Sequence, residues 1–133
     1  MDNSVIVLYH RAPYEEILKD GTVSYRTHGK PNGIIPLLKH YFLIRGRGVW
    51  IAASSLITEH NLPVRDELPI DETEKIIILR KVPVSRAETN EFYHKSSKEG
   101  FWPVLHSFPE KFNFSSINWE QFLMINQRFA AAA

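Results

Sequence analysis

The residue types best suited to chemistry crowd into one stretch. Glu91 to Pro109 reads Glu-Phe-Tyr-His-Lys-Ser-Ser-Lys-Glu-Gly-Phe-Trp-Pro-Val-Leu-His-Ser-Phe-Pro, with five aromatics, two histidines and two prolines. An ordinary core helix has no use for that mixture. Aromatic faces interleaved with His, Lys, Ser and Glu suit a surface that must be apolar and hydrogen-bonding at once, as a sugar site must be. They also suit an aromatic packing element under a loop, and composition alone favours that plainer role. Tyr93 and Trp102 have the most to offer. A tyrosine hydroxyl can bond a phosphate or sugar oxygen, and an indole supplies an apolar platform and one N–H donor. The competing reading makes Trp102 core and Tyr93 its cover. His94, Lys95 and His106 stand nearby and could touch an anion, although a lone histidine is more often a satisfied structural residue.

Two residues outside the run share this chemistry. Arg11 follows the first apolar segment, at the end where open α/β sheets place ligands. Its guanidinium is a planar fork that matches phosphate oxygens. Gly33 stands between Asn32 and a helical pattern, where a glycine lets backbone amides approach a phosphate at a helix N-terminus. A lone Asn-Gly is usually a plain turn. The full G-x-G-x-x-G pattern is missing, so no dinucleotide fingerprint is read.

Other chemistries fall away. The chain has no cysteine, which excludes disulfides, thiolate metal sites and cysteine nucleophiles. His10, His28, His40, His60, His94 and His106 do not fall at zinc-ligand spacing, so no metal is expected. No cofactor is implied either. Gly-x-Ser-x-Gly and the Gly-Lys-Ser phosphate loop are both missing. Glu15-Glu16 and Asp66-Glu67 read as solvated loop charges, not as a glycosidase pair. A net charge of +1 gives no general attraction to nucleic acid or anionic membrane. No apolar run is long enough to span a bilayer and no secretory leader is visible, so a soluble, cytoplasmic chain is expected.

The elements that must position these residues follow from periodicity. The 133 residues, 44% hydrophobic, amount to one domain. Ser4 to Tyr9 is β-branched and apolar on both faces, which predicts a buried parallel strand. Tyr14 to Leu18 and Thr22 to Tyr25 suggest a hairpin around Asp20-Gly21. Ile34, Ile35, Leu37, Leu38 and Tyr41 form a helix-period stripe that ends at Gly46-Arg-Gly48. Val49 to Ala53 and Lys75 to Arg80 predict two more strands, and Thr58 to Thr73 reads as loop. Ser85 and Glu88 make a capping box, and the helix it starts is expected to kink near Ser96 and Gly100. Ser115 or Ser116 is expected to cap a final helix whose Trp119, Phe122, Leu123 and Phe129 share one face, with the layer that Trp119, Phe122 and Phe129 would pack against missing from this chain. The order implies an α/β layer around a mostly parallel sheet. The last residues carry no helix stop signal, which suggests a domain incomplete at its C-terminal end.

Tyr93 with Trp102-Pro103 and His106 resembles the acceptor-site segment of the family of retaining glycosyltransferases that holds the trehalose-6-phosphate and glucosylglycerol-phosphate synthases. Val5-Ile-Val-Leu-Tyr-His-Arg11 with Pro13-Tyr-Glu-Glu16 resembles that family's first strand and following loop. Pro31-Asn-Gly-Ile-Ile-Pro36 resembles its glycine turn, and Asn118-Trp119 through Asn126-Gln-Arg-Phe129 its later helix. The Tyr-His-Arg opening, the Asn-Gly turn and the Leu-His-Ser-Phe-Pro ending lean toward the glucosylglycerol-phosphate branch. The resemblance implies a two-domain GT-B enzyme of which residues 1–133 form part of the N-terminal, acceptor-binding, Rossmann-like domain.

Within that domain, Arg11, Tyr93 and Trp102 would contact the phosphorylated acceptor. The Gly33 loop would close over the nucleotide-sugar donor. The full enzyme would move glucose from ADP-glucose to sn-glycerol 3-phosphate, toward the salt-stress osmolyte glucosylglycerol. One alternative is transfer from UDP-glucose to glucose 6-phosphate. Another is a non-catalytic binding or regulatory module that pairs with the missing C-terminal part or a full-length synthase. The family's catalytic histidine-aspartate segment and donor clamp find no match in the 133 residues, so no catalytic residue is assigned. Arg11, Gly33, Tyr93 and Trp102 are expected to converge on one cleft.

Overall fold

An apolar strand covered on both faces, Gly48–Ser54, lies inside the sheet. A computed structural model describes residues 4–133. In chain order it contains β1 (Val5–Leu8), β2 (Glu15–Lys19), β3 (Thr22–Arg26), α1 (Ile34–Arg45), β4 (Gly48–Ser54), α2 (Leu56–His60), β5 (Arg65–Pro69) and β6 (Ile76–Pro83). There follow α3 (Arg86–Thr89), a π-helical segment (Asn90–Phe101), α4 (Trp102–Leu105) and α5 (Trp119–Ala132). The main sheet runs β1-β4-β6-β5, and β2-β3 forms a separate hairpin. β1, β4 and β6 are parallel, with Leu8 opposite Ile51 and Trp50 opposite Leu79. The result is a mixed α/β, Rossmann-like layer.

Alternate residues of β4 serve the two faces. Trp50 and Ala52 pack with Ile77 and Leu79 of β6 and with Ile35 and Phe42 of α1. Ile51 packs with Val82, Val84 and α5's Ile125 and Phe129 on the other face. Trp50, Phe42 and Ile125 are at most 1% exposed; each such burial stabilises by about 1.5–3 kcal/mol. α1 ends where Gly46 adopts φ 87° and donates its N–H to the Phe42 carbonyl, a left-handed position that favours glycine.

Several sequence expectations are corrected. β1 is not buried on both faces: it is an edge strand, with Ile6 48% and Leu8 49% exposed. The segment read as loop holds α2 and β5. β5 escaped notice because Arg65, Asp66 and Glu67 have poor strand propensity; antiparallel pairing with β6 and insertion of Leu68 and Ile70 into the core override it. α5 is capped by Asn118, whose Oδ1 accepts from the Gln121 N–H at 3.1 Å, not by Ser115 or Ser116. Its buried residues are Ile125 and Phe129, while Trp119 and Leu123 are exposed. α1 likewise turns Ile35 and Phe42 inward and leaves Ile34, Leu37 and Tyr41 exposed.

Two of the four acidic residues read as solvated are structural. The Lys81 side chain is 1% exposed and meets Glu16 and Asp66 at 2.9 Å each. Ser54 Oγ donates to the other Glu16 oxygen at 2.6 Å, and the Tyr25 hydroxyl donates to Asp66. Burial pulls the Asp66 pKa up, but hydrogen bonds from Tyr25 and Lys81 and the Lys81 charge outweigh it and hold the carboxyl below its ordinary value. Only Glu15 and Glu67 are surface charges, paired with Arg26 and Arg65. The hairpin turns at Asp20 (φ 52°) and Gly21 (φ 76°), both left-handed as a type I′ turn requires.

The expected kink is instead a widening. Ser85 and Glu88 form the predicted capping box, and the helix then opens into the π-helical turn from Asn90 to Phe101. The Trp102 N–H reaches back to the Ser97 carbonyl, five residues earlier. Ser96 Oγ accepts the Asn118 N–H at 3.1 Å. A Cβ on Gly100 would stand 2.5 Å from Ile117 Cγ1, so only glycine admits that approach. Arg128 of α5 grips both Glu88 oxygens at 2.9 Å and fastens the helices together.

Lys81→Met leaves Glu16 buried without its cation and is expected to destabilise the fold by about 3–5 kcal/mol near neutral pH. Asp66, with its lowered pKa, contributes stability above its unfolded value that is lost as pH falls through the folded one. The gap between wild type and variant in urea melts should therefore narrow on acidification; a constant gap would refute the ion trio's role. Gly100→Ala should lose about 1–3 kcal/mol by overpacking, measured the same way.

Candidate functional site

Parallel strands end together, and the chain leaves the sheet there. β1 runs into Tyr9-His10-Arg11, and the ladder continues past it: Tyr9 N–H donates to Ile51 O at 3.0 Å and Ala53 N–H to His10 O at 3.2 Å. Trp50 Nε1 donates to the Arg11 carbonyl at 2.9 Å, which anchors the turn to the centre of the core. Beyond these strand ends lies a cavity of about 540 Å3 that includes His10, Arg11, His28, Ser54, Arg86 and Tyr93 in its lining. It occupies the crevice at the carboxyl ends of the strands, where open α/β sheets bind ligands. The hairpin, α3, the π-helical segment and α5 wall it in.

Arg11 and Tyr93 thus share one cavity. Tyr93 also borders a second, adjoining cleft of about 460 Å3 with Ser97, Lys98 and Trp102. Trp102 is 46% exposed, which overturns its reading as core; it stacks on His106 at 4.0 Å and faces Phe108. Lys98 Nζ lies 4.8 Å from the Tyr93 ring centre. Lys95 is taken up by Glu91 at 2.5 Å. Gly33 lines neither space, so the four residues do not meet in one cleft. Its φ is −64° and a Cβ there would meet nothing within 4 Å, so the fold itself makes no demand for glycine. The turn is nonetheless tied to the strand end: Asn32 Nδ2 donates to the Tyr9 hydroxyl, and Tyr9 sets its ring edge-on to His10 at 4.6 Å.

His10 is the residue that sequence reasoning passed over. Its ring stacks on Tyr93 at 4.1 Å and 26°, and its buried Nε2 has no hydrogen-bond partner among the described residues. Burial first, then the positive charges of Arg11 and Lys98 and the neighbouring His94, push its pKa down to about 4. The imidazole is neutral at physiological pH. His10 stands at the same strand end as Arg11, a position legible in the sequence.

The carboxylates of the cavity wall are committed elsewhere, Glu15 to Arg26 and Glu16 to Lys81. What faces the open space is a guanidinium, a phenol and a neutral imidazole, a set suited to a small polar anion. Among the described residues no group of His, Asp and Glu has the geometry to hold a metal. No helix there is long and apolar enough to cross a membrane. The model of glycosyltransferase family 20 matches residues 3–133. The chain belongs to that family.

Among curated family 20 relatives, the glucosylglycerol-phosphate synthase of Synechocystis sp. is 38% identical over 133 residues, all of this chain and 27% of its own length. That of Pseudomonas anguilliseptica is 35% identical over 128 residues, 95% of this chain and 17% of its own. The trehalose-6-phosphate synthase of Mycobacterium tuberculosis is 29% identical over 136 residues, 99% of this chain and 26% of its own. The chain thus spans about a quarter of the length of the first relatives it matches. A solved structure described as "Trehalose-6-phosphate from E. coli bound with UDP-2-fluoro glucose" superposes with a TM-score of 0.60 at 17% identity, over 96% of this chain and 24% of that one. The likeness establishes the fold.

A family 20 cavity with a neutral His10 has a pH signature. The folded pKa of about 4 lies below the ordinary 6.5, so the unfolded chain takes up a proton in that window and the folded one does not. Stability is full above the unfolded value and falls as pH drops from about 6.5 to about 4. His10→Asn is expected to flatten that part of the stability profile, and NMR titration should find the His10 ring neutral at pH 6. A ring that titrates near 6.5 would contradict the burial argument.

Proposed function

We propose that residues 1–133 form part of the N-terminal, acceptor-binding domain of a retaining glucosyltransferase. The enzyme transfers glucose from ADP-glucose to sn-glycerol 3-phosphate, that is, it is a glucosylglycerol-phosphate synthase. The observation that carries this reading is the 38% identity to such synthases across the whole chain, above the 29% to a trehalose-6-phosphate synthase. The cavity chemistry supports it. Arg11 offers the acceptor phosphate a charged fork, and Tyr93 offers it a hydroxyl donor. Trp102 gives the adjoining cleft an apolar wall. Gly33, at the start of α1, leaves a backbone amide free to approach the donor's diphosphate as the loop closes.

The work of these residues is positioning. The acceptor hydroxyl must meet the glucosyl carbon as its bond to the donor phosphate breaks, and orientation supplies much of the rate. Retention and the rest of donor binding fall to residues outside this chain, so the missing C-terminal part is the partner this reading requires. Residues 1–133 alone should transfer no glucose.

The test is a matrix of ADP-glucose and UDP-glucose against sn-glycerol 3-phosphate and glucose 6-phosphate. It is run with this chain alone and with the complete open reading frame that contains it. Glucosylglycerol phosphate formed from ADP-glucose by the complete protein only is the expected result. Trehalose phosphate as the main product would give the assignment to the sister branch, and transfer by neither route would overturn it. Arg11→Ala in the complete protein should raise the acceptor KM by about ten- to a hundredfold, the worth of a charge-assisted phosphate contact. The donor KM should hold.

A further inference from the structure

We infer that His28 is a positioning residue: a neutral hydrogen-bond acceptor that aims the Arg11 guanidinium into the cavity without neutralising it. The inference rests on the reading of this cavity as a phosphate-binding acceptor site. His28 lies 17 residues from Arg11, just past β3, and its ring is fixed at both nitrogens. Nε2 stands 2.9 Å from the Ala12 carbonyl. A carbonyl only accepts, so Nε2 carries the proton and Nδ1 is left with a bare lone pair. That lone pair faces Arg11 Nη2 at 3.3 Å.

The backbone around Arg11 is clamped from both sides. Trp50 Nε1 holds the Arg11 carbonyl and His28 Nε2 holds the next one. What remains free is the swing of the long side chain, and Nδ1 limits it. The choice of partner matters. Arg26, Arg65 and Arg128 all pair with carboxylates at 2.9 Å. Arg11 makes no ion pair among the described residues. A carboxylate at this place would orient the guanidinium equally well, but it would cancel the charge that an incoming phosphate needs and compete for the same N–H groups. An imidazole lone pair orients without competing. The hairpin that delivers His28 is held by Glu16 on Lys81, so this aim is set from the core.

The variants His28→Asn and His28→Asp separate the two effects, because both place an oxygen near the position of Nδ1 and differ by one charge. They are made in the complete open reading frame, beside His28→Ala and Arg11→Ala. Acceptor KM, donor KM and kcat are measured, with calorimetric binding of sn-glycerol 3-phosphate as a readout that needs no turnover. His28→Asn should keep acceptor KM and Kd within about threefold. His28→Asp and His28→Ala should raise both by about tenfold, one charge-assisted hydrogen bond, with kcat and donor KM unchanged. If Asp behaves as Asn, or if the variants lower kcat alone, the inference is overturned. An Arg11→Ala protein with normal acceptor KM removes the acceptor site and this inference with it. A raised KM in Arg11→Ala beside wild-type behaviour in His28→Asp overturns only the inference.

Discussion

One buried ammonium organises the functional end of this molecule. Lys81 sits on the central strand β6 with its side chain out of water, where an unpaired charge would cost several kcal/mol. It is satisfied only if two carboxylates come to it from different elements. Glu16 arrives from the hairpin and Asp66 from the antiparallel edge strand. Apolar side chains in place of all three charges would hold a core equally well, but they would not specify where the hairpin lies. The ion trio does, because a shift of one residue in β2 turns Glu16 to the opposite face. The hairpin begins just after Arg11 and ends just before His28, so both ends of the cavity wall follow from that one charge.

The second constraint is the widened helix. Tyr93 and Trp102 are nine residues apart, about two and a half turns of an α-helix, which would put them on opposite sides. Five-residue hydrogen bonding slows the rotation per residue and brings both to one cleft. The widening is held by small residues: Ser96 receives the Asn118 amide, and Gly100 lets Ile117 approach. π-helical turns are concentrated at functional sites, and this one delivers the aromatic wall of the cavity.

Charge at the site follows from these placements. Nearby carboxylates are paired with Lys81 and Arg26, so the guanidinium of Arg11 lines the cavity without an ion pair of its own among the described residues. The imidazoles beside it add contact without charge: His10 because burial and positive neighbours suppress its protonation, His28 because its lone pair faces a donor. Positioning and electrostatic complementarity to an anion, not nucleophilic attack, are what these side chains can supply.

By itself the sequence determined the three parallel strands, the hairpin turn at Asp20-Gly21, the capping box at Ser85 and Glu88, and the family, since each is written in local periodicity, turn chemistry or contiguous motif. It also marked Arg11 and Tyr93, because strand ends and aromatic-polar runs are visible in one dimension. Tertiary structure alone decided the rest. β5 is a strand because β6 and Lys81 accept it, against its own propensity. Glu16 and Asp66 are structural because a lysine on a distant strand is buried between them. Trp102 lies beside Tyr93 because the helix between them is π-wound. His10 and His28 matter through what they stack on and bond to across the fold. Burial and partnership are sums over the whole packed molecule, so no reading of neighbours along the chain contains them.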